Sequence, residues 1–153
     1  MISKKLIDVL NKITQRMNKT NVQWALVGTT NHLLQGMDVR PKDIDIIISH
    51  SDLEKIKKAF SDFDFQIGEF PNKEAQKMSF KIDDFDIEIC ADYPHGKYHK
   101  KRCEKESSKL LDLGKLNIPV FTLESEIACY QLAGRFEKAE KINQFIKEAS
   151  KTK

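Results

Sequence analysis

Two aspartates one residue apart, Asp43 and Asp45, interrupt the apolar run DIDIII at residues 43–48. In a β-strand, side chains two residues apart point to the same face, so both carboxylates project together while Ile44 and Ile46 face the core. Two carboxylates held side by side repel each other unless a positive charge lies between them. The spacing therefore indicates a hard divalent cation such as Mg²⁺, which is bound by oxygen ligands.

A third acidic ligand is expected from a second strand-like stretch, FDIEIC at residues 85–90, in which acids alternate with apolar residues. Asp86 and Glu88 share one face of this strand with Asp84, and pairing with the first strand brings one of them to the aspartate pair. Asp86 is the first candidate because it lies mid-strand between apolar neighbours. Glu88 is the second, and Asp84 is assigned to the turn. The alternative is that this face is simply solvated, as one side of an antiparallel sheet often is.

A candidate phosphate site precedes the aspartates. Gly28 ends the apolar segment VQWALV, and Thr29 and Thr30 follow at the expected start of a helix. Backbone N–H groups, the helix dipole and two hydroxyls at such a turn favour phosphate binding. Lys42, beside the aspartates, is a candidate for additional positive charge.

Length and composition indicate a single soluble globular domain of 153 residues, with 40% hydrophobic and 32% charged residues. No apolar run approaches the roughly 20 residues that span a bilayer. The N-terminus alternates lysines with apolar residues at helical spacing, unlike a signal peptide, so we expect a cytoplasmic protein without a membrane partner. The cysteines at positions 90, 103 and 129 are too scattered for a disulfide framework or a zinc site.

The basic residues are unevenly distributed. Six of the 26 lysines and arginines fall within residues 97–109, whereas acids concentrate near residues 83–88. A basic segment near an acidic centre suits a polyanionic substrate handled by a metal. The alternative is a solvated loop.

The hydrophobic pattern predicts an α/β (α+β) domain with a mixed sheet flanked by helices. We predict helices over 3–18, 30–36, 51–61, 122–133 and 136–149, and strands over 22–27, 43–49, 77–82, 85–90 and 118–121. Asp83 and Asp84 form a hairpin turn, the last strand is an edge strand because it contains Pro119, and a helical piece falls at 108–113. We divide the single domain into a core at 1–121 and C-terminal helices at 122–153.

These motifs resemble the polymerase-β-type nucleotidyltransferase superfamily. Its signature is an apolar strand, a glycine turn at a helix start, an h-D-h-D-h strand and a third carboxylate on a later strand; the corresponding segments here are WALVGTT, PKDIDIII and FDIEI. The resemblance covers residues 22–90. Within the superfamily, the sequence is most similar to small stand-alone prokaryotic members, including antibiotic and toxin–antitoxin nucleotidyltransferases. The tail also resembles the helical segment that closes those proteins, so the resemblance implies a nucleotidyltransferase-like fold.

The resemblance implies that Gly28 and Thr29 hold a triphosphate. It also implies that Asp43, Asp45 and Asp86 bind two Mg²⁺ ions, with Asp86 as a candidate base. The implied activity moves a nucleoside monophosphate from a nucleoside triphosphate to a hydroxyl of a small molecule, protein or RNA. The alternative is an inactive binding module of the same fold, an antitoxin or RNA-binding accessory. A homodimer or a toxin–antitoxin partner is a further expectation.

Two departures from the family pattern bear on the triphosphate. Thr29 stands where glycine or serine is usual, which keeps a hydroxyl but adds a branched Cβ. Gln131 stands where small members often carry a lysine. The candidates for the missing positive charge are Arg40, Lys42, Arg135 and Lys138.

Overall fold

A computed structural model describes residues 2–151, except for the side chains of Cys103 and Lys105. Within these residues the α-helices are α1 (Lys4–Asn18), α2 (Gly28–Leu34), α3 (Leu53–Ala59), α4 (His99–Cys103), α5 (Leu123–Leu132) and α6 (Phe136–Lys151). The strands are β1 (Ala25–Val27), β2 (Asp43–Ser49), β3 (Gln66–Glu69), β4 (Ala75–Ile82), β5 (Phe85–Asp92), β6 (Ser108–Asp112) and β7 (Asn117–Phe121). Short 3₁₀ turns precede α3 and β6.

The described strands form one mixed sheet in the order β3-β4-β5-β2-β1-β7-β6. β2 is antiparallel to β1 and parallel to β5, and β4 and β5 form an antiparallel hairpin. β1 and β7 are parallel, and β6 closes the far edge antiparallel to β7. The prediction of a mixed sheet flanked by helices is therefore confirmed.

Alternation along β2 and β5 gives the sheet one apolar and one acidic face. Ile44 and Ile46 of β2, and Ile87 and Ile89 of β5, are fully buried. Each such side chain contributes about 1.5–3 kcal/mol when it is fully buried. Their core cluster includes the apolar stripe of α1, whose N-cap Ser3 accepts a hydrogen bond from the backbone N–H of Leu6. The acidic residues of both strands consequently face the opposite side.

Several predicted elements are confirmed with small shifts. Strand β2 has the predicted bounds, the hairpin turns at Asp83, whose φ is 54°, and Thr122 caps α5 by accepting a hydrogen bond from the N–H of Ser125. Strand β1 is only three residues long, Ala25–Val27, and follows a turn at Asn21, whose φ is 58°.

Other predictions were wrong. Residues 108–112 form strand β6 rather than a helical piece, and the helix in this region is α4 instead. β7 is an interior strand between β1 and β6, and Pro119 is in register with Leu110 of β6. The short strand β3 was missed because QIGE lacks a clear apolar alternation. The helix predicted over 51–61 is shorter, because His50–Asp52 form a 3₁₀ turn and α3 covers only Leu53–Ala59.

Among residues 2–151, no helix is long and apolar enough to cross a membrane. Cys90 and Cys129 are free, partly buried thiols, whereas the side chain of Cys103 lies outside the described part. The division at residue 121 stays a prediction. Met1 of the core segment and residues 152–153 of the tail lie outside the described residues.

Candidate active site

Strand register brings four carboxylates to one face of the sheet. Asp43 is the register partner of Asp86, and Asp45 is the register partner of Glu88 on the parallel strand β5. Directly paired residues on neighbouring strands point to the same side, so all four carboxylates project from the acidic face.

Asp45 is the most perturbed carboxylate of this group. Burial raises its pKa to about 7, and repulsion from Glu88 and Asp43 acts in the same direction. Without a cation, the site therefore resists holding all of its negative charge near neutral pH.

The two candidates on β5 have different neighbours. Glu88 lies beside Asp45, and its Oε1 is 3.4 Å from Lys77 Nζ. Asp86 Oδ1 lies 3.5 Å from Lys81 Nζ, and the Asp86 side chain is 59% exposed against 30% for Glu88. Glu88 is thus the acid more closely coupled to Asp45.

Oxygen donors of this kind suit Mg²⁺, which uses one or two protein carboxylates and fills its remaining positions with phosphate and water. Within residues 2–151, no three acidic, histidine or cysteine side chains are already gathered as a metal site. An ion held by these carboxylates would therefore need phosphate or water for its remaining coordination positions.

Gly28 lies against Asp45 at the end of β1. Its φ is +77°, and a Cβ added there would lie 2.8 Å from Asp45 Oδ2. A side chain would therefore be strained by both the backbone conformation and the contact. The turn can approach the carboxylate this closely only because residue 28 is glycine.

The hydroxyl groups of the two threonines after Gly28 differ in whether they are free to bind a ligand. The Thr30 hydroxyl is buried and donates to the backbone oxygen of Asp43 at 2.7 Å, so it ties α2 to β2. Thr29 is partly exposed, whereas Lys42 and Arg40 are exposed. Of the two predicted hydroxyls, that of Thr29 is the one left without a hydrogen bond to the described residues.

Glu126 is a buried carboxylate that the sequence analysis missed. It is 4% exposed, and its Oε2 accepts hydrogen bonds at 2.9 Å from Gly28 N–H and from Asn31 Nδ2. His32 Nε2 lies 2.9 Å from the same oxygen. The sequence does contain a signal for Glu126. It is spaced three residues after Leu123 and four before Tyr130, which places it on the inward face of α5.

The beginning of α6 brings positive charge to the cleft. Arg135 Cζ and Lys138 Nζ each lie 5.5 Å from the centre of the Tyr130 ring. Burial lowers the pKa of Lys138, and nearby Arg135 lowers it further, whereas attraction to Asp45 acts in the opposite direction. The Lys138 ammonium is therefore close enough to Asp45 for the two charges to interact.

A cleft of about 400 Å³ opens beside Gly28, Asp45 and Glu88. Its walls come from the β3–β4 turn, the segment around α4, and α5 with the turn that follows it. Other lining side chains are Phe70, Tyr98, Phe121, Glu126, Tyr130 and Arg135. This volume is in the range of small-molecule sites.

Among the described side chains of the basic segment at 97–109, one basic residue, Arg102, lines the cleft. Arg102 Nη1 donates to Asp92 Oδ1 at 2.5 Å and to Cys90 Sγ at 3.4 Å. Burial raises the pKa of the Cys90 thiol to about 12, so this thiol is not activated as a nucleophile. Lys97 and Lys100 are exposed, and the side chain of Lys105 lies outside the described part.

Comparison with known proteins adds independent information. The sequence profile of the family described as aminoglycoside-2''-adenylyltransferase matches residues 9–145. No curated protein matches the chain significantly.

Solved structures of similar fold include TM1012 of Thermotoga maritima, provisionally assigned as a nucleotidyltransferase. It has 26% identity and a TM-score of 0.71, with 97% of this chain and 96% of that chain covered. ANT(2'')-Ia, solved with adenylyl-2''-tobramycin, has 11% identity and a TM-score of 0.62, with 96% and 99% covered. The lincosamide adenylyltransferase LnuA, solved with lincomycin, has 14% identity and a TM-score of 0.59, with 92% and 98% covered. The last two similarities concern the fold alone.

Proposed function

Because the chain belongs to the aminoglycoside-2''-adenylyltransferase family, we propose that it transfers a nucleoside monophosphate from a nucleoside triphosphate to a hydroxyl group, with Mg²⁺ as its cofactor. One observation carries the proposal. Asp45 faces Glu88 across two parallel strands and at the same time packs against the Gly28 turn. Acidic metal ligands and a phosphate-binding turn are thereby adjacent, which is the arrangement that nucleotidyl transfer requires.

Asp43, Asp45 and Glu88 are the proposed Mg²⁺ ligands, for two ions in all. The raised pKa of Asp45 supports this set, because it reflects a crowding of negative charge that a dication relieves. When bound, the ions neutralise developing charge on the phosphates and increase the acidity of an attacking hydroxyl. Asp86, which the sequence analysis placed first, takes an outer position in this proposal beside Lys81.

The Gly28–Thr29 turn is the proposed holder of the triphosphate. Backbone N–H groups at the beginning of α2 and the Thr29 hydroxyl supply hydrogen-bond donors. Thr30 acts indirectly, because its buried hydroxyl fixes the turn to the backbone of Asp43.

Arg135 and Lys138 are proposed to neutralise the phosphates from the opposite side of the cleft. Both lie against Tyr130, and Lys138 already interacts with Asp45 and Glu126. They replace the charge that Gln131 does not provide. Arg40 and Lys42 precede β2 and are too exposed for us to assign them this role.

Glu88 is the proposed acceptor of the proton from the attacking hydroxyl. Its carboxylate lies next to Asp45 and is partly exposed to the cleft, so a hydroxyl can reach it. A carboxylate in this position also holds the acceptor oxygen near the reacting phosphate.

The proposed acceptor is a compound that carries a hydroxyl group. We propose that the reaction takes place in the cytoplasm. Where one copy of the chain does not form a complete site, a second copy is proposed to complete it. The cleft volume suits a small molecule. The protein and RNA acceptors considered from the sequence are outcomes of the experiment below.

Incubation with α-³²P-labelled triphosphates and Mg²⁺ tests the proposal against small hydroxylated compounds, the protein itself and RNA. We expect label to transfer to at least one acceptor class, and Asp45→Asn to abolish the transfer. RNA or protein binding that survives Asp45→Asn but disappears when Lys100 and Lys101 are neutralised, without any transfer of label, would instead identify an inactive binding module.

A further inference from the structure

Glu126 is a buried acidic group, 4% exposed, that lines the cleft, and the reaction outlined above leaves it without a role. It comes from α5, near the end of the chain, yet its partners belong to α2. Burying a charge is costly unless it is fully hydrogen-bonded, so an acid kept at this position calls for an explanation.

We infer that Glu126 is a positioning residue whose carboxylate holds the Gly28 peptide in the orientation that nucleotide binding needs; this inference rests on the proposed function. Glu126 Oε2 receives the N–H of Gly28 at 2.9 Å, while Asp45 Oδ2 packs against the Cα side of the same glycine. The glycine turn is thus held between two carboxylates on different elements.

Glycine makes this restraint necessary. A glycine at a φ of +77° is free to adopt several other conformations, and rotation of its peptide would redirect the N–H groups that follow. A hydrogen bond from Gly28 to a buried carboxylate fixes one orientation before the ligand arrives. Pre-organised donors lose less entropy on binding than mobile donors.

Glu126 also connects the two ends of the chain at the site. Asn31 Nδ2, which donates to Glu126, donates as well to the backbone oxygen of Phe121 at 3.0 Å. Gln35 Nε2 donates to the same oxygen at 2.8 Å. The position of α5, with Tyr130 and the cations Arg135 and Lys138 that follow it, is thereby coupled to the Gly28 turn.

Two variants and two controls separate positioning from general stability. Glu126→Ala removes the acceptor, whereas Glu126→Gln keeps an oxygen there without the charge. Glu124→Gln changes an acid on the same helical turn that is exposed. Ser125 is 3% exposed, and its hydroxyl lies 2.7 Å from Thr122 Oγ1. Ser125→Ala therefore destabilises α5 without touching Gly28.

The readouts are Mg²⁺-ATP affinity by calorimetry well below the melting temperature, and Gly28 amide exchange by NMR. We expect Glu126→Ala to weaken ATP binding about tenfold or more and to accelerate Gly28 exchange, because a charge-assisted hydrogen bond is lost. Glu126→Gln should recover part of both effects. Ser125→Ala should lower the melting temperature with unchanged affinity, and Glu124→Gln should change neither quantity.

Two results would overturn the inference. In the first, Glu126→Ala lowers the melting temperature as Ser125→Ala does, but its ATP affinity stays within about twofold of the wild type. In the second, Gly28 exchange is unchanged in Glu126→Ala. If the wild-type chain binds no triphosphate, the proposed function is contradicted. The Gly28 exchange measurement then still decides whether Glu126 fixes the turn.

Discussion

Asp45 and Glu88 face each other across parallel strands β2 and β5, and burial together with repulsion from Glu88 raises the pKa of Asp45 to about 7. With a pKa of about 7, Asp45 is partly protonated near neutral pH, so the site carries less negative charge than four ionised carboxylates would. The Mg²⁺ ion proposed for this site would relieve the same crowding of negative charge that the proton relieves. Metal binding and protonation should therefore compete at this pair.

The first prediction concerns pH. Asp45 has a higher pKa in the folded than in the unfolded protein, so its protonated form favours folding. Its contribution to the free energy of unfolding is therefore lost as the pH rises from the pKa of the unfolded chain towards the folded pKa of about 7. We expect Mg²⁺ to bind more tightly, and to raise the melting temperature more, as pH increases from about 6 to about 8. Asp45→Asn should remove this pH dependence, and its persistence in that variant would assign it to another group.

The second prediction separates the two acids of β5. Glu88→Gln should reduce nucleotidyl transfer at least about 100-fold, because it removes a metal ligand and the proposed proton acceptor. Asp86→Asn, a matched change two residues away, should cost less than about tenfold, because Asp86 is more exposed and pairs with Lys81. Initial rates with labelled triphosphate measure both. The reverse order of effects would restore Asp86 as the third carboxylate.

The third prediction concerns the glycine turn. Gly28→Ala should destabilise the protein by about 1–3 kcal/mol and remove activity, because its Cβ meets Asp45 as well as a positive φ. Gly114→Ala is the control: its φ is +88°, but no atom lies within 4 Å of the added Cβ. The difference between the two variants in urea unfolding measures the contact with Asp45. Equal destabilisation would show that this contact is unimportant.

The fourth prediction concerns the two cations of the cleft, Arg135 and Lys138. Replacing both Arg135 and Lys138 by alanine should weaken triphosphate binding by about tenfold or more, since two favourable charge contacts with phosphate are lost. Lys147→Ala, on the exposed end of α6, should have no effect. Calorimetry at two salt concentrations provides the measurement. Unchanged affinity in the double variant would remove these residues from the site.

The fifth prediction tests the buried ion pair in the cleft. Arg102→Met should destabilise the protein by about 3 kcal/mol, because Asp92, 3% exposed, loses its counter-charge. Lys101→Met breaks only the more exposed pair with Glu104 and should cost less than about 1 kcal/mol. Urea unfolding compares the two. Similar values would indicate that Asp92 is hydrated or protonated in the variant.

The sequence predicted the elements whose signals are local. The DIDIII alternation defined β2, and Asp83-Asp84 marked the hairpin, because face selection and turn formation depend on neighbouring residues. The pairing of β2 with β5 was only assumed, and the choice between Asp86 and Glu88 depends on a register that the sequence alone does not reveal.

Other features depend on contacts between distant residues. Glu126 lies 98 positions from Gly28 along the chain, so nothing local indicates that they meet. Likewise, β6 forms because β7 offers it a partner, although its leucines and lysine are compatible with a helix. Tertiary pairing thus outweighed local propensity in the part of the chain that we predicted least well.

Calorimetric titration of the wild-type chain and of Asp43→Ala/Asp45→Ala with ATP and GTP, each with and without Mg²⁺, tests the central claim most directly. The account predicts that the wild type binds a triphosphate only with Mg²⁺ and that the double variant folds but binds none. Binding that is equally tight without Mg²⁺, or that is unchanged in the folded double variant, would contradict it.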